Sequence, residues 1–577
     1  MTKCEMRRTL TLLLLFCCLQ LAFSQSVSQE HKWLKRLEGR TIVKNKAGFQ
    51  VDQRQPLRVA RKQQEQGGDL PKRVEPLLAG INRWHQYDAP YWNLTPIVED
   101  RHCPAGCVAL AQAQVMHFWR HPDQGKGEFS YNDSLGCGQL LSAKFYEHTY
   151  EWDKMLYEYE DSAYTDEEVY PMALLLSDCG ISVQTKYNRS ASGAQPVMHS
   201  VALTRYFGYD PAVQLHFRDF YTEQEIITLL KQELAAGRPL LVSGYNYRIG
   251  HAFVIDGYNE DDWFHVMLGN PKGNGDGWTS LECMNGSHEE YDYTLSPESG
   301  FNLMQVFTVG IQPETSTSTP YHVFAMEGMS VVSATGNEAR IRVGDLSNIG
   351  YNIHHDSVSI MLLQADSIVR PLYTYQREFL LEEIDDTAYT DTLSILLSPD
   401  IPDGQYRLMP MFKDNGTWQP VRCCVGTPNY LLCDLQDGLA TFSSDTAHTA
   451  FLTLEDFDVP DLIISGSAPD ISLRLKNHQA ESVGRIYFFM EPTVEGQESF
   501  FLYKMGYAME ADEVRTYRFC TTNIYPPKTG QYRLRILYDN NLFSQHLTEL
   551  TDEDTPILVS VLHGNIMQIA SNVKSEK

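Results

Sequence analysis

The spacing of apolar and polar residues divides this chain into a mixed region followed by a region of strands alone. Up to about Pro313, apolar residues recur at helical spacing in some stretches and form short continuous runs in others. Beyond Pro320, the chain consists of short alternating stretches separated by Gly, Asn and Asp turns. Spacings of three and four residues predict amphipathic helices, whereas strict alternation predicts strands with one buried face.

Four helices are predicted in the mixed region, and strands follow them. The first helix begins at Cys107, since Val108, Ala111 and Val115 share one face, and His121-Pro122 ends it. The other helices are predicted for Glu167 to Cys179 with Gly180 as the stop signal, for Ala194 to Phe207, and for Thr222 to Ala236. The strands are predicted for Pro239 to Gly244, His251 to Tyr258, and Trp263 to Leu268. Helices followed by strands predict an α+β domain rather than an alternating parallel sheet.

The remainder of the chain is predicted to form two all-β domains. A weak repeat, DGQYRLMPMF from Asp403 and TGQYRLRILY from Thr529, places two Gln-Tyr pairs 126 residues apart (531 − 405). One unit of about 100–130 residues made of strands and turns is typical of an immunoglobulin or fibronectin type III sandwich. We therefore predict β-sandwich domains at 321–454 and 455–577, joined to the mixed region by the linker ETSTSTP.

The first residues have the pattern of a targeting segment. Lys3, Arg7 and Arg8 precede an apolar run from Thr9 to Leu21, and Ala22-Phe23-Ser24 offers a small-x-small cleavage site. We predict a signal peptide at 1–24, secretion of the chain and no membrane insertion, because no later apolar run reaches about 18 residues. The polar and basic stretch 25–73 favours a pro-segment, with a solvated N-terminal extension as the open alternative.

Composition excludes two classes of partner. The formal net charge is −27, and 43% of the residues are hydrophobic and 11% aromatic. These fractions are typical of packed soluble domains. A chain this acidic is not expected to bind nucleic acid or anionic membranes, because both attract basic patches. The charge fits a solvated extracellular surface.

The number of cysteines suggests a reactive thiol. Of the 12 cysteines, three lie in the first 24 residues, which leaves nine. An odd number leaves at least one thiol unpaired in an oxidising compartment. Cys107 is the candidate nucleophile, because the positive end of a helix favours a thiolate; a small buried hydrophobic residue is the alternative. Cys423, Cys424 and Cys433 are assigned to a local disulfide or to the core.

Cysteine catalysis also needs a base and donors for the oxyanion. The candidate base is His251, which opens an apolar strand directly after Gly250 and lies 144 residues after Cys107 (251 − 107). This separation is within the span seen in papain-like enzymes. A structural histidine at the start of a strand is the alternative.

Five blocks of the chain resemble, in order, the streptopain family of secreted papain-like cysteine peptidases. The blocks are VEPLLAGINRWHQYDAPYWNLTP, GCVALAQAQVM, SDCGISVQTKYNRSASGA, GRPLLVSGYNYRIGHAFVIDGY and VFTVGIQP. The resemblance covers 74–313 and implies a papain-like α+β fold that hydrolyses protein or peptide substrates without a metal or cofactor. By the same resemblance, a cut after Lys72 or Arg73 would release the peptidase domain from its pro-segment.

The resemblance also implies roles for individual residues. Cys107 takes the place of the nucleophile and His251 that of the base. Gln86 takes the place of the glutamine that helps the backbone N–H of Cys107 hold the oxyanion, and its amide is a suitable neutral donor. Ser243 and Gly244 are expected to line the substrate cleft beside His251.

One stretch departs from the family pattern. After the histidine strand the family usually has Asn-Trp-Gly-Trp-Gly-Gly, in which a tryptophan orients the imidazole, whereas this chain has FHVMLGNPKGNGDGW. Met267 then stands at the asparagine position, and Leu268 and Asn270 stand at the tryptophan positions. Either Asn270 gives a papain-like hydrogen bond to His251, or the enzyme is weakened or inactive.

Three other functions stay open. Cys103-x3-Cys107 followed by His117-x3-His121 imitates a zinc pattern, although nine residues between Cys107 and His117 are fewer than the usual gap of about 12. A catalytically silent relative would act as a secreted binding or adhesion protein, with a surface or protein ligand held by the β-rich domains. Transglutamination and amide hydrolysis use the same Cys-His chemistry.

Overall fold

The computed structural model describes most of the chain from residue 70 onward. The described residues are 41–44, 70–159, 164–246, 249–284, 300–315, 322–350, 356–376, 389–464, 470–494, 499–520, 529–540, 546–552, 555–562 and 566–570. The predicted signal peptide and most of the predicted pro-segment lie outside these residues, so both stay predictions.

The four predicted helices are present among the described residues. They are α1 Cys107–Trp119, α2 Asp166–Ser182, α3 Met198–Tyr206 and α4 Glu223–Ala235. Capping boxes begin α2 and α4, which explains their sharp starts. Gly180 does not end α2 as predicted; the glycine is needed because a Cβ there would collide with the hydroxyl of Tyr187. No described helix is both long and apolar enough to cross a bilayer.

The main sheet of this first region is built from six of its described strands. The strands are β1 Thr41–Lys44, β2 Ile97–Val98, β3 Arg101–His102, β4 Phe129–Asn132, β5 Leu140–Ala143, β6 Gln214–Phe217, β7 Leu240–Tyr245, β8 Gly250–Tyr258, β9 Phe264–Met267, β10 Gly277–Thr279 and β11 Leu303–Val309. Six of them form an antiparallel sheet in the order β10-β9-β8-β7-β11-β6. The predicted strands correspond to β7, β8 and β9, and the α+β prediction is confirmed.

Helix α1 is fixed between the other helices and one face of this sheet. Its apolar side chains share a hydrophobic core with Leu175 of α2 and Val254 of β8. The opposite face of the sheet is covered by α4, whose Leu230 shares a second core with Phe253. Because successive strand residues point to opposite faces, β8 contributes to both cores. The helix that begins at Cys107 is therefore packed against the strand that carries His251.

The rest of the described chain is all β, as predicted. Its strands are β12 Phe324–Ala325, β13 Gly328–Thr335, β14 Glu338–Asn348, β15 Val358–Gln364, β16 Ser367–Thr374, β17 Tyr389–Leu396, β18 Gly404–Asp414, β19 Thr417–Pro420, β20 Leu431–Gln436, β21 Leu439–Ser444, β22 Phe451–Asp458, β23 Leu462–Ile464, β24 Asp470–His478, β25 Ser482–Pro492, β26 Phe500–Met509, β27 Val514–Cys520, β28 Gly530–Asp539, β29 His546–Glu549, β30 Ile557–Leu562 and β31 Ile566–Ala570.

These strands form two units, each built from two sheets. Strands β12 to β21 make a four-stranded and a six-stranded sheet, and β22 to β31 make a three-stranded sheet and most of an eight-stranded one, which β1 joins beside β29. Each unit has its own hydrophobic core. The predicted limit at residue 454 falls inside β22, which pairs with β24. The limits of the domains stay predictions.

A buried group of charges joins the last β unit to the α+β region. Arg485 of β25 donates to Asp219 through Nη1 at 2.6 Å, and to Asp539 of β28 through Nε at 2.9 Å and Nη2 at 2.6 Å. The three side chains are 3%, 7% and 1% exposed, respectively. Tyr487 donates its hydroxyl to the other oxygen of Asp539 at 2.8 Å. One guanidinium thus links two carboxylates from different parts of the chain.

We expect Arg485→Leu to destabilise the protein by about 3–5 kcal/mol, because it leaves two buried carboxylates without their charge partner. Differential scanning calorimetry would show the loss as a lower Tm. Arg370→Leu is the matched control, since its ion pair with Asp400 lies at the surface, where such pairs contribute little. Equal Tm changes in the two variants would contradict a special role for the buried group.

Candidate active site

The first residue of α1 combines a thiol with a backbone N–H at the free N-terminal end of the helix. Gly106 caps the helix with φ 94° and ψ 136° and offers no side chain to it, and this positive φ favours glycine. The first helical hydrogen bond runs from the N–H of Leu110 to the carbonyl of Gly106 at 2.9 Å. The N–H of Cys107 therefore has no acceptor within the helix.

The side chain of His251 is held between Cys107 and a backbone carbonyl. His251 lies in β8 opposite Gly244 of β7. Its Nε2 lies 2.7 Å from the carbonyl oxygen of Leu268, which can only accept, so Nε2 is the donor. The ring also makes a side-chain hydrogen bond with Cys107, which falls to Nδ1 because Nε2 is already engaged. The structure thus brings together the predicted nucleophile and the predicted base.

The electrostatics of this pair favour a thiolate and an imidazolium. Burial raises the pKa of Cys107, but the hydrogen bond and charge of His251, with the backbone N–H groups of Ala252 and Val108, outweigh it, so the pKa is lowered. Burial likewise lowers the pKa of His251, but the Cys107 thiolate and the Leu268 carbonyl outweigh it, so the pKa is raised. Each partner stabilises the charged form of the other.

Gln86 is held close to the nucleophile. Its carbonyl accepts the N–H of Ala105 at 3.1 Å, two residues before Cys107, and the residue is 5% exposed. Its side chain is hydrogen-bonded to the phenol of Tyr87. Burial raises the pKa of Tyr87, and the charge of Cys107 raises it further. The backbone of Gln86 is therefore fixed to the segment that leads into Cys107.

The other predicted site residues are Ser243, Gly244 and Asn270. Ser243 is 4% exposed and pairs with Ala252 inside the sheet. Gly244 approaches the carbonyl of Phe301 so closely that a Cβ would collide with it. Asn270 donates its amide to the carbonyl of Asn274 at 2.8 Å. The partner of Nε2 of His251 is therefore the Leu268 carbonyl, and the side chain of Asn270 is turned to its own loop.

Three further groups next to the pair were missed by sequence reasoning. The ring of Phe301 lies 5.0 Å from that of His251 between centroids. Burial, followed by the charge of Cys107, raises the pKa of Tyr245. The Leu268 carbonyl could not be identified from the sequence, because every residue has a backbone carbonyl. Gly300, directly before Phe301, could have indicated a close backbone contact at this point, because a Cβ at residue 300 would collide with the Cys283 carbonyl.

The residues of the zinc alternative have separate environments. His117 stacks on Trp84 with 4.6 Å between centroids, and burial, followed by the charge of Arg120, lowers its pKa to about 4. His121 directs Nε2 to the carbonyl of Gly208 at 3.0 Å. Cys103 is buried in a small cluster of its own. Within the described residues, no group of three or more His, Cys, Asp or Glu side chains is arranged to hold a metal.

Three cysteines of the β-rich region lie in hydrophobic cores. Cys423 and Cys433 are buried free thiols of one core, and Cys424 is buried in the core that also contains Phe253. Burial raises the pKa of Cys433 to about 12 and, followed by nearby charges, that of Cys103 to about 11. Cys107 differs from both, since its pKa is lowered.

Comparison with known proteins gives one family for this region. Residues 84–279 match the sequence model of the Peptidase C10 family. Streptopain of Streptococcus pyogenes is 31% identical over 257 residues, which are 42% of this chain and 63% of the relative. A thiol protease/hemagglutinin of Porphyromonas gingivalis is 28% identical over 264 residues, which are 43% of this chain and 29% of the relative. The chain thus spans less than two thirds of the length of these relatives.

Two solved structures are similar to part of this chain. Active wild-type interpain A, a cysteine protease of Prevotella intermedia, is 29% identical with a TM-score of 0.37, covering 41% of this chain and 94% of that chain. A fragment of its precursor, prointerpain A, is 24% identical with a TM-score of 0.37, covering 52% of this chain and 84% of that chain.

The lowered pKa of Cys107 predicts that its alkylation by iodoacetamide persists at pH values below the usual thiol range. In His251→Ala the alkylation curve should move to higher pH, because the hydrogen bond and charge that stabilise the thiolate are lost while burial remains. Mass spectrometry of the alkylated peptides measures each cysteine separately. Cys103, with its raised pKa, is the internal control, and superimposable Cys107 curves in the two proteins would contradict the ion pair.

Proposed function

Because residues 84–279 belong to the peptidase C10 family, we propose that this chain is a cysteine endopeptidase acting through Cys107 and His251. The observation that carries the proposal is the hydrogen-bonded pair of these two side chains at the start of α1, with its lowered thiol pKa. A thiolate at this position is a nucleophile that needs no metal or cofactor.

In the proposed reaction, the thiolate of Cys107 attacks the carbonyl carbon of a peptide bond. The imidazolium of His251 then donates its Nδ1 proton to the leaving amine, and a thioester to Cys107 remains. The neutral imidazole next accepts a proton from water, which attacks the thioester and releases the acid. Throughout, Nε2 keeps its proton because it is bonded to the Leu268 carbonyl, so Nδ1 alone exchanges protons.

The oxyanion of each tetrahedral intermediate requires two donors. The N–H of Cys107, which has no acceptor within the helix, is proposed as one, and the positive end of α1 adds to its effect. The Gln86 side-chain amide is proposed as the other; the proposal is supported by the backbone hydrogen bond of Gln86 with Ala105, two residues before Cys107. Donors fixed before the reaction stabilise the developing charge without reorganisation. Ser243 and Gly244 are proposed to line the substrate cleft beside His251, whereas Asn270, whose amide bonds the carbonyl of Asn274, has no role in the proposed mechanism.

Secretion and activation by cleavage belong to the proposal. The residues around the proposed cut are anchored to the α+β region: Val74 exchanges two backbone hydrogen bonds with Tyr258, at 2.8 and 3.1 Å, and Arg73 lies over the ring of Trp278 at 5.3 Å. A cut after Lys72 or Arg73 would leave Val74 fixed in place. The substrates are proposed to be proteins or peptides, and the β units are proposed to contact a surface or protein ligand.

The first test compares the chain from Gln25 onward with its Cys107→Ala variant. The wild type should cleave casein, take up one irreversible epoxide inhibitor at Cys107 and trim its own N-terminus near Arg73, whereas the variant should do none of these. Cys137→Ala is the control, since burial raises the pKa of that thiol. A folded but inert wild type would favour the silent binding protein instead.

The second test concerns the oxyanion. We expect Gln86→Ala to lower kcat by about 10²–10³-fold, the usual cost of losing one oxyanion donor, with a smaller change in KM. Gln139→Ala is the matched control, because its amide is exposed and bonds the carbonyl of Ile97 at 2.9 Å. Steady-state kinetics on a fluorogenic peptide measure both parameters. An unchanged kcat in Gln86→Ala would remove Gln86 from the mechanism.

A further inference from the structure

The Leu268 peptide is held from both sides by short hydrogen bonds. Its carbonyl accepts the Nε2 proton of His251 at 2.7 Å, and its N–H donates to Oδ1 of Asp276 at 2.7 Å. Asp276 is therefore connected to the imidazole of His251 by two hydrogen bonds through a single residue, Leu268. The negative charge of Asp276 is also among the influences that raise the pKa of His251.

The loop around this peptide is packed against the nucleophile helix. Gly269, at φ 67°, comes so close to the side chain of Leu110 in α1 that a Cβ would collide with it. The bond from Leu268 to Asp276 closes the loop between β9 and β10. Rotation of the Leu268 peptide would move its carbonyl away from His251, and the Asp276 carboxylate opposes that rotation.

We propose that Asp276 is a positioning residue of the active site: by holding the Leu268 peptide, it fixes the imidazole of His251 against Cys107. This inference rests on the proposed function and assigns to a carboxylate and a backbone peptide the orienting task for which the sequence suggested Asn270. Asp276 does not touch the substrate or the reacting sulfur. It acts through Leu268.

Three other titratable or charged groups influence Asp276. His265 of β9 and Arg83 favour its charged form, whereas Asp256 of β8 opposes it. Asp256 is itself bonded to Nδ1 of His265 at 2.7 Å. Burial raises the pKa of Asp276, and the bond from the Leu268 N–H lowers it, with a net rise. Among the described residues, the charged groups that raise the pKa of His251 are the Cys107 thiolate and Asp276.

Two variants separate the hydrogen bond from the charge. Asp276→Ala removes both, and we expect kcat to fall by about 10–100-fold, as when the group orienting a functional histidine is lost, with a smaller change in KM. Asp276→Asn keeps an oxygen that can accept the Leu268 N–H, so it should recover most of kcat. In both variants the alkaline limb of kcat/KM should move to lower pH, because the imidazolium loses a nearby negative charge.

A readout without substrate separates this inference from the proposed function. In protein labelled with ¹³C-histidine, the resonance of His251, assigned with His251→Gln, should titrate at lower pH in both Asp276 variants than in the wild type. This measurement remains informative even if the wild type cleaves nothing, an outcome that would defeat the peptidase proposal alone.

The matched control is another buried aspartate that accepts a backbone N–H. Asp210, 1% exposed, bonds the N–H of Ala212 at 2.8 Å before the edge strand β6. Asp210→Ala should lower Tm while leaving the titration of His251 unchanged. If Asp276→Ala lowers Tm but changes neither kcat nor the His251 titration, Asp276 only closes a loop and the inference is overturned.

Discussion

The hydrogen bond between Cys107 and His251 joins two halves of the α+β region that have different secondary structure. One partner begins a helix and the other lies in a central strand, so their distance depends on how α1 packs on the sheet. The shared core of α1, α2 and β8 fixes that packing. The contact of Gly269 with Leu110 fixes the loop that holds the imidazole to the same helix. Cys107, His251 and the Leu268 carbonyl thus share one packed support.

Much of this arrangement could be predicted from local sequence. Apolar spacing located the helices, and the run after Gly250 located β8. Resemblance to a family, rather than periodicity, paired Cys107 with His251 and brought in Gln86. Gly180 was misinterpreted because a glycine in a helical pattern has two meanings, a stop or a close contact. Only the approach of Tyr187 decides between them, and that contact is tertiary.

The rest could not be predicted, for two physical reasons. The orienting group of His251 is a backbone carbonyl, and its position depends on the path of the loop rather than on the side chain of residue 268. Arg485 meets Asp219 and Asp539 across separations of 266 and 54 residues, so no spacing rule connects them. The alternation of apolar and polar residues beyond Pro320 predicted strands and their buried faces, but not where the last β unit meets the α+β region.

The use of the Leu268 carbonyl changes what sequence comparison can detect at this position. All residues carry the same carbonyl, so substitution of the side chain at 268 removes no orienting atom. A comparison of side chains would point to an inactive enzyme, because the tryptophan of the family is missing here. Such a comparison leaves out the peptide carbonyl to which the imidazole of His251 is bonded. The informative comparison is of the backbone path from β9 to β10 and of the carboxylate that accepts the N–H of residue 268. Two chains can share both while differing at the other side chains in between.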